Sequence, residues 1–257
     1  MLQTKELAIG YPLGKKQINI IQEQVTLCLQ AQTLTTLLGI NGIGKSTLIR
    51  TLCGHLKPLS GSILLKGKPL SLYSPPALAK EISVVLTSGL PASNLRVKEL
   101  LQISRTPHIN WSSNLTKEDF YHIDKAIDLT SIASIVDLPI QNLSDGQLQR
   151  VLIARALAQH TPILILDEPS SHLDLHHKVK IYQLLQHLTR EEKKTILFSS
   201  HDIELALQFA DEGIVLQQGA YTQNTIENLV SNGVFDRFFP DDVLQFDRQN
   251  KRFILAP

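Results

Sequence analysis

The chain has 257 residues, 43% of them hydrophobic, with 25 basic and 24 acidic side chains for a formal charge of +1. That length and apolar content bury one substantial core with a smaller satellite, and the near-neutral balance supplies neither the basic footprint of a nucleic-acid binder nor a strongly basic membrane-facing surface. No apolar run approaches the ~20 residues that cross a bilayer, and the opening MLQTKELAIG lacks the apolar centre of a signal peptide, so the sequence reads as a soluble cytosolic protein.

In chain order, Leu7 and Ile9, then Val25, Leu27 and Leu29, alternate with polar residues at period two and predict antiparallel strands, with Tyr11 in the break between them. Cys28 and Cys53 lack metal-ligand spacing and read as small buried hydrophobes. An apolar run, Leu34 to Leu38, then leads into Gly39-Ile40-Asn41-Gly42-Ile43-Gly44-Lys45-Ser46-Thr47, which fits G-x-x-x-x-G-K-[ST] ahead of a helical pattern. Strand, glycine-rich loop and helix in that order make a phosphate-binding P-loop rather than a plain connecting turn. Gly39, Gly42 and Gly44 let the backbone curl around an anion at the helix N-terminus, and Asn41 lies within the same loop. Lys45 is expected to reach the β- and γ-phosphates, Ser46 to hold Mg²⁺ through its hydroxyl, and Thr47 to donate from the first helical turn.

Beyond the P-loop helix, Gly54 and Pro58 act as stops, Gly61 and Gly67 bracket a short strand Ile63 to Leu65, and Ile82 to Leu86 reads as a buried strand. From about Val97 to Val136 the apolar spacing turns helical, with a start signal at Thr116, so this stretch reads as a helical insertion. Ser144-Asp145-Gly146-Gln147 has capping-box form and opens a helix running to about Gln159. Strands return at Ile163 to Leu166, Thr195 to Phe198 and Ile214 to Leu216, separated by helical stretches, as in a parallel α/β sheet. The residues from Asn224 onward look like a short appended element.

The aliphatic strand Ile163 to Leu166 ends in Asp167-Glu168-Pro169, at the strand end where open α/β sheets bind ligands. An aspartate there orients Mg²⁺, and the glutamate after it can position and deprotonate the attacking water, which gives Asp167 a metal role and Glu168 a catalytic one.

Leu143-Ser144-Asp145-Gly146-Gln147 resembles the LSGGQ signature of ATP-binding cassette (ABC) ATPases, and it precedes the carboxylate strand as in that family. Ser171-His172-Leu173-Asp174 resembles the D-loop of that family, and Ser199-Ser200-His201-Asp202 its switch-histidine segment. The resemblance implies an α/β fold: a P-loop NTPase (RecA-like) parallel-sheet core with an N-terminal antiparallel β subdomain and an inserted helical subdomain. Its expected extents are 1–86 and 159–223 for the core with its β subdomain, 87–158 for the helical subdomain, and 224–257 for a C-terminal extension. It further implies ATP and Mg²⁺ as cofactors and catalytic roles for Lys45, Glu168 and His201, the histidine contacting the γ-phosphate. Tyr11 is implied to stack on adenine, with Ser144, Gly146, Gln147 and Asp174 closing over the nucleotide of a second, head-to-tail copy. Asp145 stands where the family usually has glycine, and is expected to turn away from the nucleotide or pair with a base. Counting back from Val97, Thr87 occupies the position of the Q-loop glutamine. His172, His176 and His177 invite a metal reading, but the spacing favours a solvated face.

Several stretches look like the ATP-binding subunits of importers for iron-siderophores, haem and cobalamin. They are Ile82 to Thr87, Asn94 to Leu100, His201 to Gln208, and Phe246-Asp247 with Phe253. The partners so implied are integral membrane permease subunits and, indirectly, a periplasmic or lipoprotein substrate-binding protein, with the chain held at the inner face of the membrane and no nucleic acid involved. An exporter subunit is the nearer alternative. DNA-repair or chromosome-organising ATPases and tandem-cassette translation factors fit less well, because neither a heptad-rich insertion nor a repeated cassette is visible.

Overall fold

A computed structural model describes residues 1–13, 17–86, 94–109, 114–171, 173–239 and 243–256. Thr87 and His172 lie outside these described residues. The strands are β1 (Leu2–Leu13), β2 (Gln17–Val25), β3 (Cys28–Leu29), β4 (Leu34–Leu38), β5 (Ser60–Leu65), β6 (Lys68–Pro69), β7 (Ile82–Val85), β8 (Ile163–Leu166), β9 (Thr195–Ser199), β10 (Glu212–Gln217), β11 (Ala220–Thr225), β12 (Leu244–Asp247) and β13 (Arg252–Leu255). The helices are α1 (Lys45–Leu52), α2 (Pro75–Ala79), α3 (Val97–Ile103), α4 (Lys117–Thr130), α5 (Asp145–Ala158), α6 (Leu175–Arg190), α7 (Ile203–Phe209) and α8 (Ile226–Ser231).

The central sheet runs β11-β10-β4-β9-β8-β7. Its first pair is antiparallel and the other four are parallel. The expected parallel core is therefore present, with an antiparallel edge strand added: β11 alternates polar residues, Ala-Tyr-Thr-Gln-Asn-Thr, too weakly to signal burial from sequence. A second, antiparallel sheet runs β2-β1-β5-β6 with β3 on β1.

Side-chain alternation makes the central sheet the floor of two cores. Leu37, Ile163, Ile165, Leu197, Ile214 and Leu216 face α1 and the antiparallel sheet. Their neighbours Leu38, Leu164, Leu166, Ile196, Phe198 and Val215 face the core that α5, α6 and α7 share. Strands buried on both faces read as near-continuous apolar runs, which is why β8 and β9 were legible, while β4 carries two buried threonines, Thr35 and Thr36.

Three local expectations change. Tyr11 lies within β1, paired with Asn19, rather than in a break: the strand continues past Gly10 through register shifts around Ile9. Gly61 lies inside β5 rather than before it, at φ 77°, opposite a register shift between Lys5 and Ala8. A glycine in a bulge costs nothing at positive φ, so it marks irregular pairing here and not a strand boundary. Cys53 is buried, as expected, and burial pushes its thiol up. Cys28 is only half-buried, and Gln3 and Gln30 donate their amides to its sulfur (3.6 and 3.5 Å).

The helical stretch forms as its start signals direct. Thr116 Oγ1 accepts from the Asp119 backbone N–H (3.2 Å) while Asp119 Oδ2 accepts from the Thr116 N–H (2.8 Å), closing a capping box over α4. Arg105 donates to Asp119 Oδ1 (2.8 Å) and to the Ala158 carbonyl (2.8 Å), tying the segment after α3 to the start of α4 and the end of α5. Among the described residues no helix is long and apolar enough to cross a membrane.

Candidate functional site

The loop after β4 is shaped by what its glycines exclude. A Cβ on Gly44 would lie 2.4 Å from Ile21 Cγ2, at a φ of 110° that side chains rarely adopt. One on Gly39 would come within 2.7 Å of Ile43 Cγ2 and 3.0 Å of the Leu216 carbonyl oxygen. Gly44 is also the cap of α1, so no side chain occupies the N–H groups of the first turn, and that turn carries no acid. An unblocked helix N-terminus of this kind favours a phosphate.

Lys45, the first residue of α1, is buried and donates to the carbonyls of Gly39 (2.8 Å) and Ile40 (3.3 Å). Burial pulls its ammonium below the ordinary lysine value, while the carboxylates of Glu168 and Asp167 push the other way. That opposition brings the P-loop and the strand-end acids into one electrostatic site, as the sequence predicts. Thr47, buried two residues on in the same turn, shares a 3.1 Å hydrogen bond with the Tyr11 hydroxyl, so Tyr11 is anchored to the P-loop helix from the antiparallel sheet. Asn41 and Gly42 are exposed at the tip of the loop, and Ser46 is half-buried in the first turn.

The carboxylates leave β8 into a turn that its neighbour holds. Asp167 is buried, and its Oδ1 accepts from Ser199 Oγ (2.7 Å), which in turn accepts from the Glu168 backbone N–H (2.9 Å). Glu168 sits at φ 53°, a left-handed conformation that costs a non-glycine residue ~1–2 kcal/mol. Ser199 holds this turn by accepting from the Glu168 N–H. The Glu168 carboxylate meets His201 Nε2 in a close contact. His201, at the end of β9, is thus delivered to Glu168 because β8 and β9 are neighbours in the sheet.

Ser199 was not singled out as a site residue by itself. Its signal is a hydroxyl ending an apolar strand, Thr-Ile-Leu-Phe-Ser, at the same level as the acids on the adjacent strand.

The signature residues assemble elsewhere, with the D-loop. Ser144 caps α5, its hydroxyl accepting from the Gln147 N–H (3.3 Å) and Gln147 Oε1 accepting from the Ser144 N–H (3.0 Å). Gly146 packs under the His177 ring, where an added Cβ would lie 3.4 Å from Cδ2. Asp174 caps α6 by accepting from the His177 N–H (2.9 Å), and its carboxylate also contacts His177 Nδ1 (2.9 Å). So His177 joins signature to D-loop and does more than cover a solvated face, while its neighbour His176 packs edge-on to it. Asp145 is exposed in the first turn of α5, where the helix dipole favours an acid. Among the described residues no base pairs with it.

The ABC transporter family profile matches residues 22–171. The iron(3+)-hydroxamate import ATP-binding protein FhuC of Bacillus subtilis (strain 168) is 38% identical over 258 residues, spanning 99% of this chain and 94% of the relative. The ferric enterobactin transport ATP-binding protein FepC of Escherichia coli (strain K12) is 32% identical over 239 residues, spanning 93% and 86% respectively. Among solved structures, the dimeric ATP-binding cassette MJ0796, in a post-hydrolysis state bound to ADP and Pi, aligns with a TM-score of 0.77 at 25% identity, covering 88% of this chain and 99% of that one. A profile over more than half of the sequence and a relative aligned along nearly all of it, on a site where a P-loop, paired strand-end acids, a switch histidine and a signature helix are in place, establish that this chain belongs to the ABC transporter family.

Proposed function

We propose that this chain is the ATP-binding and hydrolysing subunit of an importer that carries an iron complex through separate membrane subunits. The observation that carries the hydrolytic part is the convergence of Glu168, His201 and buried Lys45 at the mouth of the P-loop. The iron complex is supported by the likeness to relatives named for hydroxamate and enterobactin uptake.

In this reading Lys45 leaves the Gly39 and Ile40 carbonyls for the β- and γ-phosphates, and the first-turn N–H groups of α1 hold the phosphate oxygens. Tyr11 stacks on the adenine, its hydroxyl steadied by Thr47. Glu168 accepts a proton from the attacking water, and His201 orients Glu168 and contacts the γ-phosphate. The oxygen donors Ser46 and Asp167 suit Mg²⁺, a hard cation, which when bound neutralises charge on the phosphates. Ser144, Gly146, Gln147 and Asp174 serve the nucleotide of a second copy, and permease subunits anchor the pair at the inner membrane face. Cargo is selected by the membrane subunits and their binding protein.

The test is reconstitution in vesicles of this chain with the permease that co-purifies from native membranes, scored by ATP-dependent movement of a radiolabelled ferric hydroxamate. Uptake into right-side-out vesicles supports the reading. Outward movement, or transport indifferent to iron chelates, replaces it with an exporter or another cargo.

A further inference from the structure

Behind the pair Glu168–His201 lies a buried ring of polar groups. Tyr182 of α6 is fully buried, its ring 5.5 Å from those of Phe198 and Phe209. Its hydroxyl lies 2.7 Å from Ser200 Oγ and 3.2 Å from Ser170 Oγ, both serines being buried as well. Ser170 Oγ donates to Asp202 Oδ2 (3.5 Å), and the Asp202 backbone N–H donates to Ser200 Oγ (2.9 Å). Lys178 Nζ holds the other Asp202 oxygen (2.9 Å).

These contacts fix the proton order. Ser170 spends its proton on the Asp202 carboxylate and so accepts from Tyr182; Tyr182 spends its own on Ser170 and so accepts from Ser200. Each hydroxyl donates once and accepts once, and the ring closes on Asp202. Burial raises the Tyr182 pKa, against its hydrogen bonds with Ser170 and Ser200, so the phenol stays a neutral donor. Ser170 stands two residues after Glu168, and Ser200 and Asp202 flank His201.

We propose that Tyr182 is a positioning residue for ATP hydrolysis, its hydroxyl clamping the turn that carries Glu168 to the turn that carries His201. The proposal rests on the reading of those two residues as the hydrolytic pair. Phe209 and Phe198 would hold a phenylalanine ring in the same place, so Tyr182→Phe removes the clamp and keeps the packing.

The experiment uses the full chain. Tyr182→Phe is expected to keep ATP affinity by calorimetry and KM within twofold of wild type while lowering kcat about tenfold. Ser200→Ala should cost the same, the double variant should cost no more than either, and Ser200→Thr, which keeps a hydroxyl, should recover the loss. In ¹H–¹⁵N spectra of the histidine rings, the His201 signal, assigned by its loss in His201→Ala, should shift in Tyr182→Phe. A kcat within twofold of wild type, losses that multiply in the double variant, or an unmoved His201 signal overturns the clamp. An inactive wild-type chain would instead strike at the hydrolytic reading, and the His201 signal would still decide whether Tyr182 sets its position.

Discussion

Lys45 shows at single-residue scale how the site stores charge. Its ammonium is buried at a helix N-terminus that itself repels cations, and the Asp167 and Glu168 carboxylates and two loop carbonyls offset this. A triphosphate supplies the missing negative charge, so binding releases a tension already present in the chain. Lys45→Ala is therefore expected to weaken ATP binding by 100-fold or more, ~2.7 kcal/mol, with the fold intact by circular dichroism. Calorimetric titration with ATP checks it, and near-normal affinity would remove Lys45 from the site. The lysine was legible because the P-loop is a local motif whose spacing states its geometry. Ser199 was not, because its role is set by the register of β9 on β8, a long-range pairing that no local pattern announces.

At the scale of elements, the buried pair Arg105–Asp119 ties the start of α4 to the segment after α3. Burial opposes ionisation of Asp119, but hydrogen bonds from Thr116 and the Arg105 guanidinium outweigh it and hold the carboxyl at about 2. This lies below the ~3.9 of an unfolded aspartate, so the pair's stabilisation is complete above that value and is lost as pH falls through the window from 4 toward 2. Asp119→Asn should flatten the decline in stability over that window. At neutral pH the same variant leaves Arg105 buried without a counter-charge and should cost ~3–5 kcal/mol. Denaturant unfolding at pH 7, with thermal melts from pH 5 to 2, reads both effects. The capping half of this device was visible as Thr-Lys-Glu-Asp ahead of an apolar pattern. The ionic half was not, since Arg105 stands 14 residues away and its burial follows from how α4 and α5 pack. The same limit explains β11: a polar edge strand is defined by the neighbour it pairs with, β10, and not by its own hydrophobicity.

For the whole molecule, the decisive feature is that the fold builds two phosphate-ready helix termini and assigns them to different neighbourhoods. The P-loop terminus of α1 shares its surroundings with Asp167, Glu168 and His201, while Ser144 at the head of α5 is exposed and grouped with Asp174 through His177 and Gly146. In the proposed reading, two copies arranged head to tail would satisfy both termini with one nucleotide at each of two shared sites; a cassette to which this chain is similar is dimeric with nucleotide bound. On that reading the copies would part only after hydrolysis, when the cleaved phosphate leaves and takes with it the charge between them. Glu168→Gln keeps the shape of the side chain and loses the base, so it should slow turnover by ~10²–10⁴ while leaving ATP binding intact. Trapped before hydrolysis, this variant should run as a dimer with ATP and Mg²⁺ and as a monomer with ADP. Size-exclusion with light scattering separates the two, and a monomer under both conditions, with turnover near that of wild type, would refute both the role of Glu168 and the sharing of sites between copies.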